Sequence, residues 1–219
     1  MSFAALFSWR HFFYLCVLLN LKTFPLIFHL RFYYYVVKNF YVFPRRKLKT
    51  IFEPTKMVTF TSLLEMDFNM HKSNSTYFTD MDISRTDLLT KNLYKFYRNY
   101  EDPSLPKLKW YQFIYSPLGS VGVTFKRELI AYRPYTVESR ILGWTSKWLF
   151  VITVFKTGKT INAYGIAKYV FKQQRKTIPP EQIIAFEGLL TEEAKKQNEL
   201  TQKYLSDSLE LEDIIKLVG

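Results

Sequence analysis

Cysteine is almost absent. Cys16 is the only one in 219 residues, so no intrachain disulfide forms and nothing points to an oxidising compartment. Histidine is scarce: His11, His29 and His71 are the three, and no His or Cys pair has zinc-ligand spacing. Neither a metal nor a cofactor is expected. The seven glycines make no P-loop, no dinucleotide fingerprint and no G-x-S-x-G elbow. Glycine-cradled nucleotide sites and serine-elbow hydrolases are therefore excluded. Acidic residues are nearly missing from the first quarter of the chain. Residues 1–56 carry nine Lys/Arg and only Glu53 as an acid, a balance of +8 within the total of +12.

The chain is rich in apolar residues. Hydrophobic residues make up 48% and aromatics 18%, which argues for a packed core and against disorder. The basic excess lies among Phe, Tyr and Leu, and there is no zinc-finger spacing, Gly-rich RNA-binding signature or Arg-rich arm. Nucleic acid is not an expected partner. An apolar and basic segment suits a membrane surface.

The chain divides into three parts. Residues 1–50 form an apolar, basic segment, with an apolar stretch from Phe12 to Leu21. Beyond that stretch the segment is interrupted by Lys22, Pro25, His29, Arg31 and Lys38. A spanning helix wants ~20 apolar residues, so one or two helices lying in or dipping into a membrane are expected, separated at Pro25. "RRKLK" (Arg45 to Lys49) would sit at the headgroups. No small-residue cleavage site for a signal peptide is visible. The competing expectation is that this segment covers an apolar face of the main domain. Cys16 reads as a small hydrophobe in that stretch.

Residues 57–184 read as an α+β domain. "MVTFTSLL" (Met57 to Leu64) is β-rich. "STYFTDMDISRTDLL" is helical, with Tyr77, Met81 and Leu88 on one face, Phe78, Arg85 and Leu89 alongside, and Ser73 or Asn74 as N-cap. Pro103 and Pro106 mark a loop. Strands are expected in "VGVTFKRELIAY", in "TVESRILGW" up to a turn at Gly143, and in "KWLFVITVF". A hairpin turn at Gly158 leads into "INAYGIAKYVFKQQ". One strand, one helix, then several antiparallel strands is an α+β layout. Residues 185–219 are a polar helical tail. Thr191 is placed to cap its first helix, and Asp207 with Glu210 has capping-box spacing before a second.

Between the first strand and the helix lies "DFNMHKSNSTY" (Asp67 to Tyr77). A polar turn at a helix N-terminus collects free backbone N–H groups. Such donors stabilise a carbonyl oxygen whose charge grows during attack, and Asp67 or His71 within reach would activate water. Asn69 and Asn74 would orient the substrate. The same residue types also make ordinary turns and caps, so the stretch alone leaves both open.

This stretch resembles the D-x-N-x-H-x-N-N-x-x-Y turn of hotdog-fold thioesterases, most closely the thioesterase superfamily member six-like group and its fungal relatives. Asp67, Asn69, His71, Asn74 and Tyr77 match in spacing, and Arg85 matches a helix arginine. Ser73 stands where the pattern has asparagine, and Lys72 where an apolar residue is common. "YRPYTVESRILGWTSKWLFVITVF" is similar to the family's hairpin and "KTIPPEQI" to its closing segment. The likeness covers about Met57 to Ile184.

The resemblance implies a hotdog fold, a curved antiparallel sheet wrapped round one helix, usually as a homodimer. It implies an acyl-thioester site at the helix N-terminus, with acyl-CoA as the expected substrate. Asp67, Asn69, His71 and Asn74 are then the catalytic candidates. Ser73 and Tyr77 are placed to bind substrate, and Arg85 to support the structure. Many such enzymes need a further acid; Glu128 and Glu138 lie on expected strands and read as surface charges. The substitution at Ser73 favours an alternative, a non-catalytic hotdog module binding acyl chains or a protein at a membrane. With the apolar segment, the resemblance implies association with the endoplasmic reticulum rather than the mitochondrion.

Overall fold

The computed structural model describes residues 9–43, 48–107 and 114–205. The basic residues Arg45 to Lys47 and the Asp207–Glu210 capping pair lie outside the described residues. The chain begins with α1 (Trp9–Leu19), a short 3₁₀ turn, and α2 (Ile27–Val37), which runs into a π-helical turn. β1 (Thr55–Thr59), α3 (Asn74–Asn92) and α4 (Tyr94–Asn99) come next. Then come β2 (Leu118–Phe125), β3 (Tyr135–Trp144), β4 (Leu149–Thr157) and β5 (Thr160–Tyr169). The short strands β6 (Phe171–Gln173) and β7 (Lys176–Ile178) lead to α5 (Pro180–Glu187) and α6 (Glu192–Leu205).

Five strands form one antiparallel sheet in the order β1-β3-β4-β5-β2. The inward positions of β3 alternate as the pleat demands: Tyr135, Val137, Ser139 and Ile141 are buried. α3 lies on that inner face. Its first half packs Tyr77, Met81 and Ile83 against Met57, Val137, Phe155 and Ala163. Leu88, Leu89 and the nearby Leu93 pack against Ile141, Leu149, Val151 and Phe171. Burying each of these large side chains contributes roughly 1.5–3 kcal/mol.

Two details let the helix sit close to the sheet. A Cβ at Gly165 on β5 would lie 2.6 Å from Met81 Cε and 2.9 Å from the Gly122 carbonyl oxygen. Ser84 Oγ of α3 meets Ser139 Oγ at 2.8 Å, and Ser139 meets Thr153 Oγ1 at 2.8 Å, so three buried hydroxyls satisfy one another between the layers.

Several boundaries differ from expectation. The first strand ends at Thr59, because Ser62 and Glu65 form a capping box that turns residues 63–65 into a 3₁₀ helix. Glu128 is not on a strand, since β2 ends at Phe125. Gly143 is no turn: the register shifts between Ile141 and Gly143, a bulge that lets β3 reach Trp144. The reversal falls at Thr145–Trp148, closed by the Thr145 N–H donating to the Trp148 carbonyl at 2.8 Å. Gly158 does hold its hairpin, at φ 58°. Thr191 caps α6, accepting from the Ala194 N–H at 3.1 Å.

The N-terminal segment breaks around Pro25 as expected. α2 packs on α3, and Phe32 and Tyr35 join the core around Tyr77 and Met81. Asn39 is buried and donates to the Asp87 carbonyl, the Asp87 carboxylate and Thr90. α1 buries none of its residues. Among the described residues, no helix is long and apolar enough to cross a membrane.

Candidate functional site

The segment from Glu65 to Ser73 folds into a tight polar loop. Asp67 N–H donates to the His71 carbonyl at 3.0 Å, and Met70 N–H to the Asp67 carbonyl at 3.1 Å. The Asp67 carboxylate accepts from the Asn69 N–H at 2.9 Å, an Asx turn. Closing the loop puts Met70 at φ 61°, left-handed backbone that costs a non-glycine residue. His71 then pairs with Ile130, and Lys72 N–H donates to the Leu129 carbonyl at 2.9 Å. Ser73 N–H reaches back to the Glu65 carbonyl at 2.8 Å, and α3 begins.

This geometry gathers some of the expected residues. His71 Nδ1 lies 3.5 Å from Asp67 Oδ1. Tyr77, one turn into α3, is 2% exposed, its ring edge-on to Phe125 and Phe155. Burial, together with the negative charges of Asp67 and Glu128, pushes its phenol up to about 12. Ser73 occupies the N-cap position but forms no side-chain cap bond. Its hydroxyl instead meets Ser75 Oγ at 3.1 Å. The first-turn amides of α3 are thus not taken by that hydroxyl. Asn69, within the loop, and Asn74, the first residue of α3, are both exposed.

Arg85 stands apart. Eleven residues beyond Asn74, it lies ~16 Å along the helix axis. It is buried, ion-paired with Asp82, and has the Tyr169 ring 5.9 Å away.

Two groups join the site from elsewhere. Glu128 Oε1 lies 3.7 Å from His71 Nε2, on the opposite side of the ring from Asp67. Only the pairing of residues 71–72 with 129–130 creates this neighbour, so no local sequence pattern marks it. Beneath the loop, Lys72 is wholly buried. Its Nζ donates to Glu65 Oε1 at 2.9 Å and lies 3.1 Å from Asp80 Oδ2. Lys22, from the turn between α1 and α2, reaches the same carboxylates at 2.9 and 3.0 Å. Arg31 of α2 adds a contact to Asp80 Oδ1 at 3.3 Å, and Tyr135 donates to Asp80 Oδ2 at 2.6 Å. Burial works against the Asp80 charge, but Lys22, Lys72, the Tyr135 hydroxyl and Arg31 outweigh it and hold the carboxyl at about 2.

Comparison with known proteins places the chain. No family model matches the chain. A probable thioesterase of Saccharomyces cerevisiae is 32% identical, over 99% of this chain and 95% of its own. The thioesterase LcsJ of Purpureocillium lilacinum is 34% identical over 83% of this chain and 72% of its own. Among solved structures, a probable thioesterase from Escherichia coli has a TM-score of 0.49 at 13% identity, covering 62% of this chain and 98% of that one. With a likeness to the yeast protein that runs nearly end to end, and a sheet that carries one long helix on its inner face behind an Asp-His loop, the chain belongs to the hotdog-fold thioesterase superfamily.

Proposed function

We propose that this protein hydrolyses acyl thioesters, with a fatty acyl-CoA as substrate. The observation that carries the reading is the Asp67–His71 pair, 3.5 Å apart at the N-terminus of α3. The thioester carbonyl docks at the first turn of α3, where backbone amides stabilise the oxyanion. His71, oriented by Asp67 on Nδ1, removes a proton from the attacking water. The water oxygen bonds to the carbonyl carbon, the C–S bond then breaks, and the thiolate recovers the proton from His71. Asn69 and Asn74 flank the mouth and orient the substrate and Ser73 lines it, while Tyr77, expected to bind substrate, is buried in the core and supports the helix start from beneath.

The reading extends to assembly and place. β2 is an exposed edge strand bearing Leu118 and Phe125; an edge of this kind suits pairing with a second copy, in a homodimer. α1 exposes Trp9 to 84% along with Phe13 and Leu18, with Arg10 beside them. An apolar, aromatic and basic face of this kind suits the interfacial layer of a membrane; together with the family likeness it supports our reading of a membrane surface, that of the endoplasmic reticulum rather than the mitochondrion.

The test is turnover by the purified full chain across acyl-CoAs of increasing length, beside His71→Ala. Hydrolysis by wild type and a loss of 10²-fold or more in kcat for the variant are expected. Tight acyl-CoA binding without turnover would instead identify a non-catalytic acyl-binding module.

A further inference from the structure

The two faces of the His71 ring see different surroundings from those the loop alone provides. On the Nδ1 side lie two acceptors, Asp67 Oδ1 at 3.5 Å and the Lys72 carbonyl at 3.5 Å. In the neutral ring, two acceptors there suit a proton on Nδ1. Nε2 is then a bare lone pair. It faces Glu128 Oε1, also an acceptor, at 3.7 Å. Two acceptors at that separation cannot bond each other. A molecule that donates twice would satisfy both, and a water ~2.8 Å from each would be such a molecule.

A water held in this way has spent both hydrogens, and its oxygen lone pairs point out of the notch. That is the form of a nucleophile with two bases behind it. The backbone that carries Glu128 is held in place. Asn162 Nδ2 donates to the Glu128 carbonyl at 2.9 Å, and the Lys126 and Arg127 N–H groups donate to the Asn162 carbonyl at 2.8 and 2.9 Å. Leu129 is buried in the core beside Tyr77, and its carbonyl holds Lys72. The backbone on both sides of Glu128 is pinned, while its carboxylate remains 70% exposed. Met70, strained at φ 61°, belongs to the turn that brings His71 to it.

We propose that Glu128 is a catalytic residue, which with His71 Nε2 holds the hydrolytic water; this rests on the thioesterase reading above. As the water oxygen bonds to the thioester carbon, one proton passes to Nε2 and the carbonyl electron pair moves onto oxygen. The imidazolium so formed lies between two carboxylates, Asp67 and Glu128. The second hydrogen stays on the attacking oxygen, hydrogen-bonded to Glu128, until the tetrahedral intermediate collapses. The C–S bond then breaks and Nε2 returns its proton to the leaving sulfur, so a thioester and a water give a carboxylic acid and a thiol.

The experiment measures steady-state hydrolysis of palmitoyl-CoA and octanoyl-CoA by wild type, Glu128→Gln, Glu128→Asp and Glu138→Gln. Glu138 is a carboxylate on β3 paired with Lys56 and Lys156, outside the site, and serves as the control. Glu128→Gln is expected to lose 10²-fold or more in kcat with KM within about threefold, and with an unchanged melting curve because its side chain is exposed. Glu128→Asp retains part of the rate, and Glu138→Gln all of it. Active wild type with Glu128→Gln within threefold of its kcat overturns the role of Glu128 and leaves the thioesterase reading standing. A loss confined to KM also overturns it, since Glu128 would then only bind substrate. Wild type inert toward both thioesters overturns the two together.

Discussion

The buried charges under the site loop make an unequal pair of mutations. Three cations, Lys22, Lys72 and Arg31, meet two carboxylates, Glu65 and Asp80. The cluster therefore carries one excess positive charge away from water. Asp80→Asn removes the carboxylate that all three cations share, leaving Lys22 and Lys72 on Glu65 and Arg31 with neither. Removing one partner of a buried ionic group costs about 3–5 kcal/mol. For a protein of this size that lowers the melting temperature by about 6–20 °C. Lys22→Met runs the other way in charge. It loses the contacts to Glu65 and Asp80 and the 2.7 Å bond to the Phe60 carbonyl, but it leaves a balanced cluster. Burial already pushes the Lys22 ammonium below its usual range, against the attraction of Asp80 and Glu65. The loss is therefore about 1–2 kcal/mol, a charged hydrogen bond less the relief of desolvation.

The assay is urea unfolding of wild type and both variants, monitored by far-ultraviolet circular dichroism at pH 7 and again between pH 5 and 2. Asp80 titrates near 2 in the folded protein and near 3.9 in an unfolded chain. Its contribution, about 2–3 kcal/mol, is fully present above the unfolded value and is lost as pH falls from about 4 toward 2. Asp80→Asn should lack that acid-labile component. A variant as stable as Lys22→Met, or one whose acid unfolding matches wild type, would refute the assignment of Asp80 as the shared anion.

Two further substitutions probe the packing. Gly165→Ala should destabilise by about 1–3 kcal/mol, since the added Cβ meets the Gly122 carbonyl oxygen at 2.9 Å as well as Met81; unchanged urea midpoints would show that the sheet yields at no cost. Asn198→Ala should loosen α6. Asn198 Oδ1 accepts from the Trp144 N–H at 2.7 Å, and Nδ2 donates to the Trp144 carbonyl at 3.1 Å. The Trp144 carbonyl keeps Gln202 Nε2 at 3.1 Å, but the buried Trp144 N–H loses its acceptor at a cost of about 1–3 kcal/mol, and proteolysis within α6 should accelerate; equal cleavage rates would sink that account.

The helix at the centre was legible from local signals: Ser73 and Asn74 before it, and Tyr77, Met81 and Leu88 along one face. Its depth was not. Asp80, Ser84, Arg85, Asp87, Thr90 and Asn92 are all buried as well, and a polar residue reads as a solvated face unless its partner is known. The partners come from far along the chain: Lys22 and Arg31 for Asp80, Ser139 for Ser84, Asn39 for Asp87 and Thr90. Glu128 escaped for the same reason, since its place beside His71 depends on pairing across more than fifty residues.

Lys72 shows what that long-range pairing adds to the site. In the sequence it departs from the family turn, a charge where an apolar residue is common. In the fold it fills the apolar position with its stem under the loop, and places its ammonium 5.5 Å from the centre of the Tyr77 ring. Its own N–H ties the loop to Leu129, next to Glu128. The carboxylates that neutralise it are those that seize Lys22. A lysine is tolerated beside His71 because the loop and the N-terminal segment share one set of counter-charges. The turn between α1 and α2 is consequently fastened to the floor of the candidate site. Asn20 Oδ1 accepts from the Leu64 N–H at 2.9 Å, and the Tyr132 hydroxyl donates to the Leu19 carbonyl at 3.0 Å. Whatever surface α1 rests on, its lower end is held by the same residues that shape the loop carrying Asp67 and His71.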